Sequence, residues 1–379
     1  MAAVFDRASD DQSVIERVLE HIRNRTTDLG SEVWKEPVAN YQSESRYQAE
    51  LALLRRLPVP YCPSAALAET GAYIAREAAG TPLLAVRDAD GVVRVFRNAC
   101  RHRGMEVAQG SGCKKAFACR YHGWTYGLDG RLRQVPHEAG FPGLDKALHG
   151  LVPVSAIERD GLVYVVQDGD ASAPSDLPTI LAPGHRLFAY AETVVEANWK
   201  IFMEGFLEGY HIRSTHPESF LPYGFDNLNL IDTFGRNSRV TYPFRRIRKL
   251  ESVPVSERRA PGYLTYVYQL FPNATVAVLS KHTKLIVLEP LSVSQTRMHT
   301  WSVTNSAEPG AEDEARRDAA FVNDTGGAED REVVQAIQRG LGSGANEAFT
   351  FGLYESAIVH FHRGLEAALG NANGNARGD

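Results

Sequence analysis

The chain has 379 residues, more than one hydrophobic core usually serves, so two domains are expected. With 44% hydrophobic and 23% charged residues and a formal net charge of −5, the composition is that of a globular protein and gives no sign of nucleic-acid or membrane affinity. The N-terminal MAAVFDRASDDQSVIERVLEHI lacks the basic and apolar regions of a signal peptide, no apolar run suits a membrane span, and four cysteines make no disulfide framework, so a cytoplasmic protein is expected.

In chain order, DQSVIERVLEHIRNR over 11–25 places Val14, Val18, Leu19 and Ile22 at helical spacing. From 57 to 168 the texture becomes short β-like runs between turn residues, with a hairpin turning at Asp88–Gly91 and two short strands around Asp129-Gly130. Residues 168–186, rich in Pro, Ala, Ser and Asp, read as a linker. A helical stretch over about 196–212 follows, then strands at YLTYVYQLF, ATVAVL, KLIVLEPL and TRMHTWSV. Two helices close the chain, AEDREVVQAIQRGL and LYESAIVHFHRGLEAAL, the second with Ile358, Phe361, Leu365 and Leu369 on one face. Only the Gly/Asn-rich tail reads as disordered.

Three of the four cysteines lie in NACRHRGMEVAQGSGCKKAFACRYHGWTYG, where Cys100 is paired with His102 and Cys119 with His122. Each of two hairpin tips thus offers one thiol and one imidazole. A zinc ion takes two Cys and two His, though more often from C-x-x-C spacing. A Rieske [2Fe–2S] centre divides the same donors differently, with both thiolates on one iron and both imidazoles on the other. The flanks NACRHRG and CRYHGW resemble the Rieske signature of ring-hydroxylating oxygenases. Neutral imidazoles in place of thiolates make such a cluster easier to reduce.

A cluster of that kind moves one electron and does not itself transform a substrate. The stretch EANWKIFMEGFLEGYHIRSTHP carries Glu208, His211 and His216. Five residues on an ideal helix diverge by about 140°, so the two histidines need the helix to open after His211, and Pro217 suits that. Two His and one carboxylate form the facial set of non-heme Fe(II) oxygenases. The motif NWK…E…LEGYH…TH resembles that of Rieske non-heme iron oxygenase α subunits, and the resemblance extends from about residue 45 to the last helix.

That resemblance implies an α+β protein. It comprises a helical segment over 1–44, a β-rich Rieske domain over 45–168 and a helix-grip catalytic domain over 169–379. Carried over by position, Cys100, His102, Cys119 and His122 hold the cluster, while His211 and His216 hold the mononuclear iron. Asp330 is the third iron ligand, with Glu329 as its substitute. Glu208 is the acid that bridges the incoming electron to the iron, hydrogen-bonded to a cluster histidine of a neighbouring subunit in a homotrimer. Where the family frequently has Asn, Glu204 is followed by Gly205. Electrons come from NAD(P)H through a separate flavin or iron–sulfur reductase, with or without a ferredoxin. The expected reaction is O₂-dependent hydroxylation of a small, preferably aromatic, molecule. Glu at position 208 is familiar from the quaternary-amine branch and from some aromatic-acid relatives, and the former makes N-demethylation or C–N cleavage the alternative. Phe220, Tyr223 and Phe225 are suited to stack on a ring or cage a quaternary ammonium, or simply to fill core. A bare electron-transfer protein and a zinc module remain the rivals from other classes.

Overall fold

The computed structural model describes residues 7–170, 177–181, 185–306 and 308–375. Part of the expected linker, 171–176 and 182–184, lies outside the described residues, as do 1–6 and the last four residues of the tail. The chain divides into two compact units, Leu54–Pro174 with Leu181–Pro183, and Met1–Leu53 with Ser175–Ile180 and Gly184–Asp379. The boundary expected at residue 45 falls near the start of the helix Glu44–Arg56, and the division found falls in that helix's last turn. Among the described residues no helix is long and apolar enough to cross a membrane.

The smaller unit is built on a seven-stranded antiparallel sheet whose order is Val59–Pro63, Leu162–Val166, Pro153–Arg159, Val93–Arg97, Thr81–Arg87, Ala72–Ala78, Gly110–Cys113. Both expected turns form. Asp88 Oδ1 accepts the amides of Asp90 and Val92, each at 2.9 Å, and Gly91 takes a φ of +77° that other residues rarely adopt. A second, three-stranded sheet joins Phe117–Ala118, Thr125–Tyr126 and Leu132–Gln134 around the Asp129-Gly130 turn. Gly130 also has positive φ, and a Cβ there would run into the Phe96 ring. This unit's core gathers Phe96, Phe117, Trp124 and Tyr126 against Cys100 and Cys119.

The larger unit holds a second seven-stranded antiparallel sheet, in the order Leu187–Val195, Gln295–Thr304, His282–Ser292, Ala274–Val278, Leu264–Leu270, Asn237–Pro243, Leu230–Phe234. The helices Ala311–Asp324, Gly326–Leu341 and Ser356–Asn375 follow it in the chain. The four apolar residues expected on one face of the last helix are all buried, as are Val14, Val18, Leu19 and Ile22 of the first. That last helix runs on to Asn375, into the stretch expected to be disordered.

The NWK motif has a structural explanation here. Asn198 caps the helix Trp199–Gly205 by accepting the Lys200 amide, and its own backbone amide donates to Gln338 Oε1 at 2.8 Å, tying the motif to the QRGL end of the helix Gly326–Leu341. Lys200 and Trp199 both donate to Glu50, at 2.8 Å from each, inside a site where Lys200 and Glu50 are each 1% exposed. Glu50→Ala is therefore expected to lower unfolding free energy by about 3–5 kcal/mol, because it strands a buried ammonium. Urea denaturation monitored by tryptophan fluorescence checks this; a loss below 1 kcal/mol would mean that Lys200 finds another partner.

Candidate metal centres

In the smaller unit, two loops of matching construction present the four predicted ligands. Cys100 N donates to Met105 O, and Gly104 N donates back to Cys100 O, both at 2.8 Å. In the second loop Cys119 N donates to Trp124 O at 2.8 Å, and Gly123 N to Cys119 O at 2.9 Å. Each cysteine is thus followed four residues later by a glycine at positive φ, +80° for Gly104 and +73° for Gly123, which reverses the chain. The two thiols are free and buried, whereas His122 is exposed and His102 partly so. The two imidazoles approach with ring centroids 4.7 Å apart, and His102 stacks on Trp124 at 5.0 Å. The Tyr126 hydroxyl is hydrogen-bonded to Cys100 Sγ at 3.2 Å and accepts the Arg101 amide at 2.9 Å.

These residues fit a Rieske cluster. His102 Nδ1 is buried without a hydrogen-bond partner beside two buried thiols, and the sulfurs lie inside while the imidazoles lie toward solvent. A cluster with its sulfur-ligated iron inward and its histidine-ligated iron outward has that polarity.

In the larger unit, the expected long helix over 196–212 does not form as one piece. It ends at Gly205, and a separate short helix, Ile212–Thr215, lies between the two histidines. The chain therefore opens before His211, not after it, in a stretch that contains Gly209. A Cβ on Gly209 would come within 2.9 Å of the Asn229 side chain, so no larger residue fits there without displacement. The single turn is closed by Thr215 N donating to His211 O at 2.9 Å, and His216 leaves helical geometry at φ −119°, ψ 42°, as the following proline requires.

That turn brings the imidazoles together, with centroids 5.1 Å apart, and both direct Nε2 toward Asp330. Asp330 Oδ1 is 3.7 Å from His211 Nε2 and 2.9 Å from His216 Nε2. His216 Nε2 is buried and, despite that closeness, lacks the alignment of a hydrogen bond. One ligand atom from each of His211, His216 and Asp330 lies within 4.8 Å of the others, which fits a single metal ion. Two imidazoles and one carboxylate on one side leave the other side open, the donor set of non-heme Fe(II) oxygenases.

Both rings are held from behind by carboxylates. Glu208 accepts from His211 Nδ1 and, at 3.0 Å, from the His211 amide. Glu329 Oε2 accepts from His216 Nδ1 at 2.7 Å and from Ser219 Oγ at 2.6 Å. Glu329, weighed as a substitute for Asp330, thus orients His216 and does not join the triad. Outer carboxylates of this kind fix the imidazole tautomer and strengthen the ligand. Burial alone would lower both imidazole pKa values, but Glu208 with Asp330 raises that of His211, and Asp330 with Glu329 raises that of His216. The His216 and Ser219 hydrogen bonds hold Glu329 below the usual carboxylate range against its own desolvation. The site is a region of negative potential, which suits a dication. Glu204 lies apart from it, bonded to Tyr41 at 2.6 Å and to His362 at 2.9 Å.

The triad borders a cavity of about 670 Å³. Phe220, Tyr223 and Phe225 line it, together with Phe206 and Phe321, which sequence reasoning did not single out. Phe220 also packs on His216 at 4.7 Å, and Gly326 makes room for its ring. The sheet contributes the opposite kind of surface, aliphatic and hydroxyl side chains such as Thr265, Val267, Ile286 and Thr300, at alternate positions along its strands.

Two metal-site constellations on these two folds define a Rieske-type oxygenase. The family model for the catalytic domain of ring-hydroxylating α subunits matches residues 181–371, and that of the Rieske [2Fe–2S] domain matches 58–146. The chain belongs to the ring-hydroxylating oxygenase α-subunit family. It is similar to the carnitine monooxygenase oxygenase subunit of Escherichia coli, 27% identical over 87% of this chain and 92% of that protein. It is also similar to the chloroplastic choline monooxygenase of Spinacia oleracea, 26% identical over 79% of this chain and 70% of that one. Among solved structures, a quaternary ammonium Rieske monooxygenase in complex with an inhibitor has a TM-score of 0.77 at 23% identity, over 89% of this chain and 95% of that one. The chain is therefore the terminal oxygenase component of a Rieske system, an oxidoreductase with a [2Fe–2S] cluster and a mononuclear iron. A separate reductase supplies its electrons, and O₂ is its co-substrate.

Proposed function

We propose that this oxygenase hydroxylates a quaternary amine at a carbon bonded to nitrogen, so that the C–N bond breaks. The observation that carries this reading is the aromatic wall of the cavity beside His211, His216 and Asp330, built from Phe206, Phe220, Tyr223, Phe225 and Phe321. Aromatic faces attract a cation that has no proton to donate, and a desolvated site strengthens the attraction. The names of the relatives, carnitine and choline monooxygenase, point the same way. They move the quaternary amine ahead of the aromatic substrate that the sequence put first.

In this reading His211, His216 and Asp330 hold Fe(II), and Cys100, His102, Cys119 and His122 hold the cluster. The iron supplies O₂ activation when bound, and the chain's residues do the rest. Glu329 and Glu208 keep the His216 and His211 rings turned so that Nε2 faces the metal. Glu208 further serves as the bridge to a cluster histidine of a neighbouring subunit in a homotrimer. The aromatic wall holds the amine and excludes water. One oxygen atom enters the C–H bond and the other leaves as water, consuming two electrons and two protons. The hydroxylated carbon beside a quaternary nitrogen then collapses to an aldehyde, releasing the tertiary amine and a proton.

The test is an anaerobic single turnover. Reduced, iron-replete protein is offered quaternary amines and aromatic acids, then O₂, while cluster oxidation and product mass are followed. Amine-dependent oxidation with release of a tertiary amine is the expected result. Oxidation coupled only to an aromatic acid would return the substrate to the ring-hydroxylating class.

A further inference from the structure

Among the cationic side chains that line the cavity, Lys284 and Arg331 have no part in this reaction. Lys284 stands on the strand His282–Ser292, two residues from Ile286 and on the same cavity-facing side of the sheet. It is only 6% exposed. Its ammonium donates to Asn323 Oδ1 at 2.5 Å, an uncharged partner, and an ammonium has two further donors. The carboxylate that acts on it most, Asp318, already accepts His282 Nδ1 at 2.7 Å and the Lys281 amide at 3.1 Å. Arg331 lines the same cavity from the helix Gly326–Leu341, and among the described residues its guanidinium has no hydrogen-bond or ion-pair partner. Burial lowers the Lys284 pKa most, Asp318 offsets part of that and Arg331 adds to it, leaving the group at about 8. A buried lysine and an arginine that repel each other in a substrate cavity are an arrangement that an anion relieves.

We propose that Lys284 and Arg331 form the subsite for an anionic group of the substrate, so that the enzyme favours a quaternary amine that also carries a carboxylate over one that does not. The amine half of that statement rests on the function proposed above, whereas the carboxylate half rests on these two residues. The rival role for Lys284 is a strut, tying the sheet to the helix Ala311–Asp324 through Asn323. A strut affects stability without affecting the choice between ligands.

Calorimetric binding to the oxidised holoenzyme separates the two without relying on turnover. The probes are γ-butyrobetaine against butyltrimethylammonium, and benzoate against benzamide. The wild type is expected to bind the carboxylate of a pair at least about tenfold more tightly, the effect of one hydrogen bond to a charged group. Lys284→Met and Arg331→Gln are each expected to bring that ratio toward one while leaving the carboxylate-free partner's affinity unchanged. If Lys284→Met does not fold with an intact cluster spectrum, Arg331→Gln decides alone. Discrimination seen only with the benzoate pair, and lost in the variants, would keep the subsite and remove the amine reading. A ratio unaltered in the variants, or no carboxylate binding better than its partner, overturns the proposal.

Discussion

The His211→Ala protein is expected to keep its red-brown cluster and lose its chemistry. Iron content should fall from about three atoms per chain to about two, since the cluster lies in the other unit and has its own ligands. Substrate-coupled oxidation of the cluster should fall by at least about a hundredfold, the upper end of what even an outer-shell partner contributes. Two features make the loss large. His211 Nε2 would supply one of three ligand atoms, and no third imidazole among the described residues joins His211 and His216 in the group. The alanine would also leave Glu208 without the ring it holds. Iron analysis and single-turnover oxidation measure both effects. A variant that retained all its iron and its coupled rate would remove His211 from the site.

The second large effect is expected from Glu208→Ala, read against Glu329→Ala. Both carboxylates hold an imidazole from behind, so each substitution should weaken iron affinity by about 10- to 100-fold. The two should then part. With iron restored by excess Fe(II), Glu329→Ala is expected to recover turnover, because Glu329 only orients His216 and takes the Ser219 hydroxyl. Glu208→Ala is expected to stay inactive, with its cluster still reduced normally by the reductase but no longer oxidised in the presence of substrate and O₂. Stopped-flow absorbance of the cluster distinguishes them. Recovery of both variants on iron loading would reduce Glu208 to an orienting residue and remove it from the electron path.

Much of this was legible because ligand chemistry leaves marks at short range. Cys-x-His and Cys-x-x-His differ in spacing, yet both loops place a glycine four residues after the cysteine, and that repeat is written in the sequence as Cys100…Gly104 and Cys119…Gly123. Pro217 likewise announces that His216 is not helical. The misplaced break is instructive. Apolar periodicity over 196–212 reads as one helix, but Gly205 and Gly209 permit the chain to leave it before His211. The choice between Asp330 and Glu329 was open because adjacent helical residues point about 100° apart, and only the fold says which direction faces the histidines. Lys284 was readable in retrospect as a charge at the head of the apolar run KLIVLEPL, two positions from an inward-facing Ile286. Its significance depends on Asn323 and Arg331, which lie far along the chain, and no local pattern brings them together.

One phenol in the smaller unit has a consequence for energy flow. Tyr126 is wholly buried and reaches Cys100 Sγ at 3.2 Å. A hydrogen bond to a ligating sulfur withdraws charge from it and so favours the electron-rich state of the centre. If a bond of roughly 0.5–1.5 kcal/mol acts wholly on that state, it is equivalent to about 20–65 mV in a one-electron couple. With Cys100 as a cluster ligand, the hydroxyl that splints the Arg101 amide would also set how steep a descent each electron makes on leaving the reductase. Evolution, or an engineer, can regrade that descent with a single oxygen atom and leave every ligand in place.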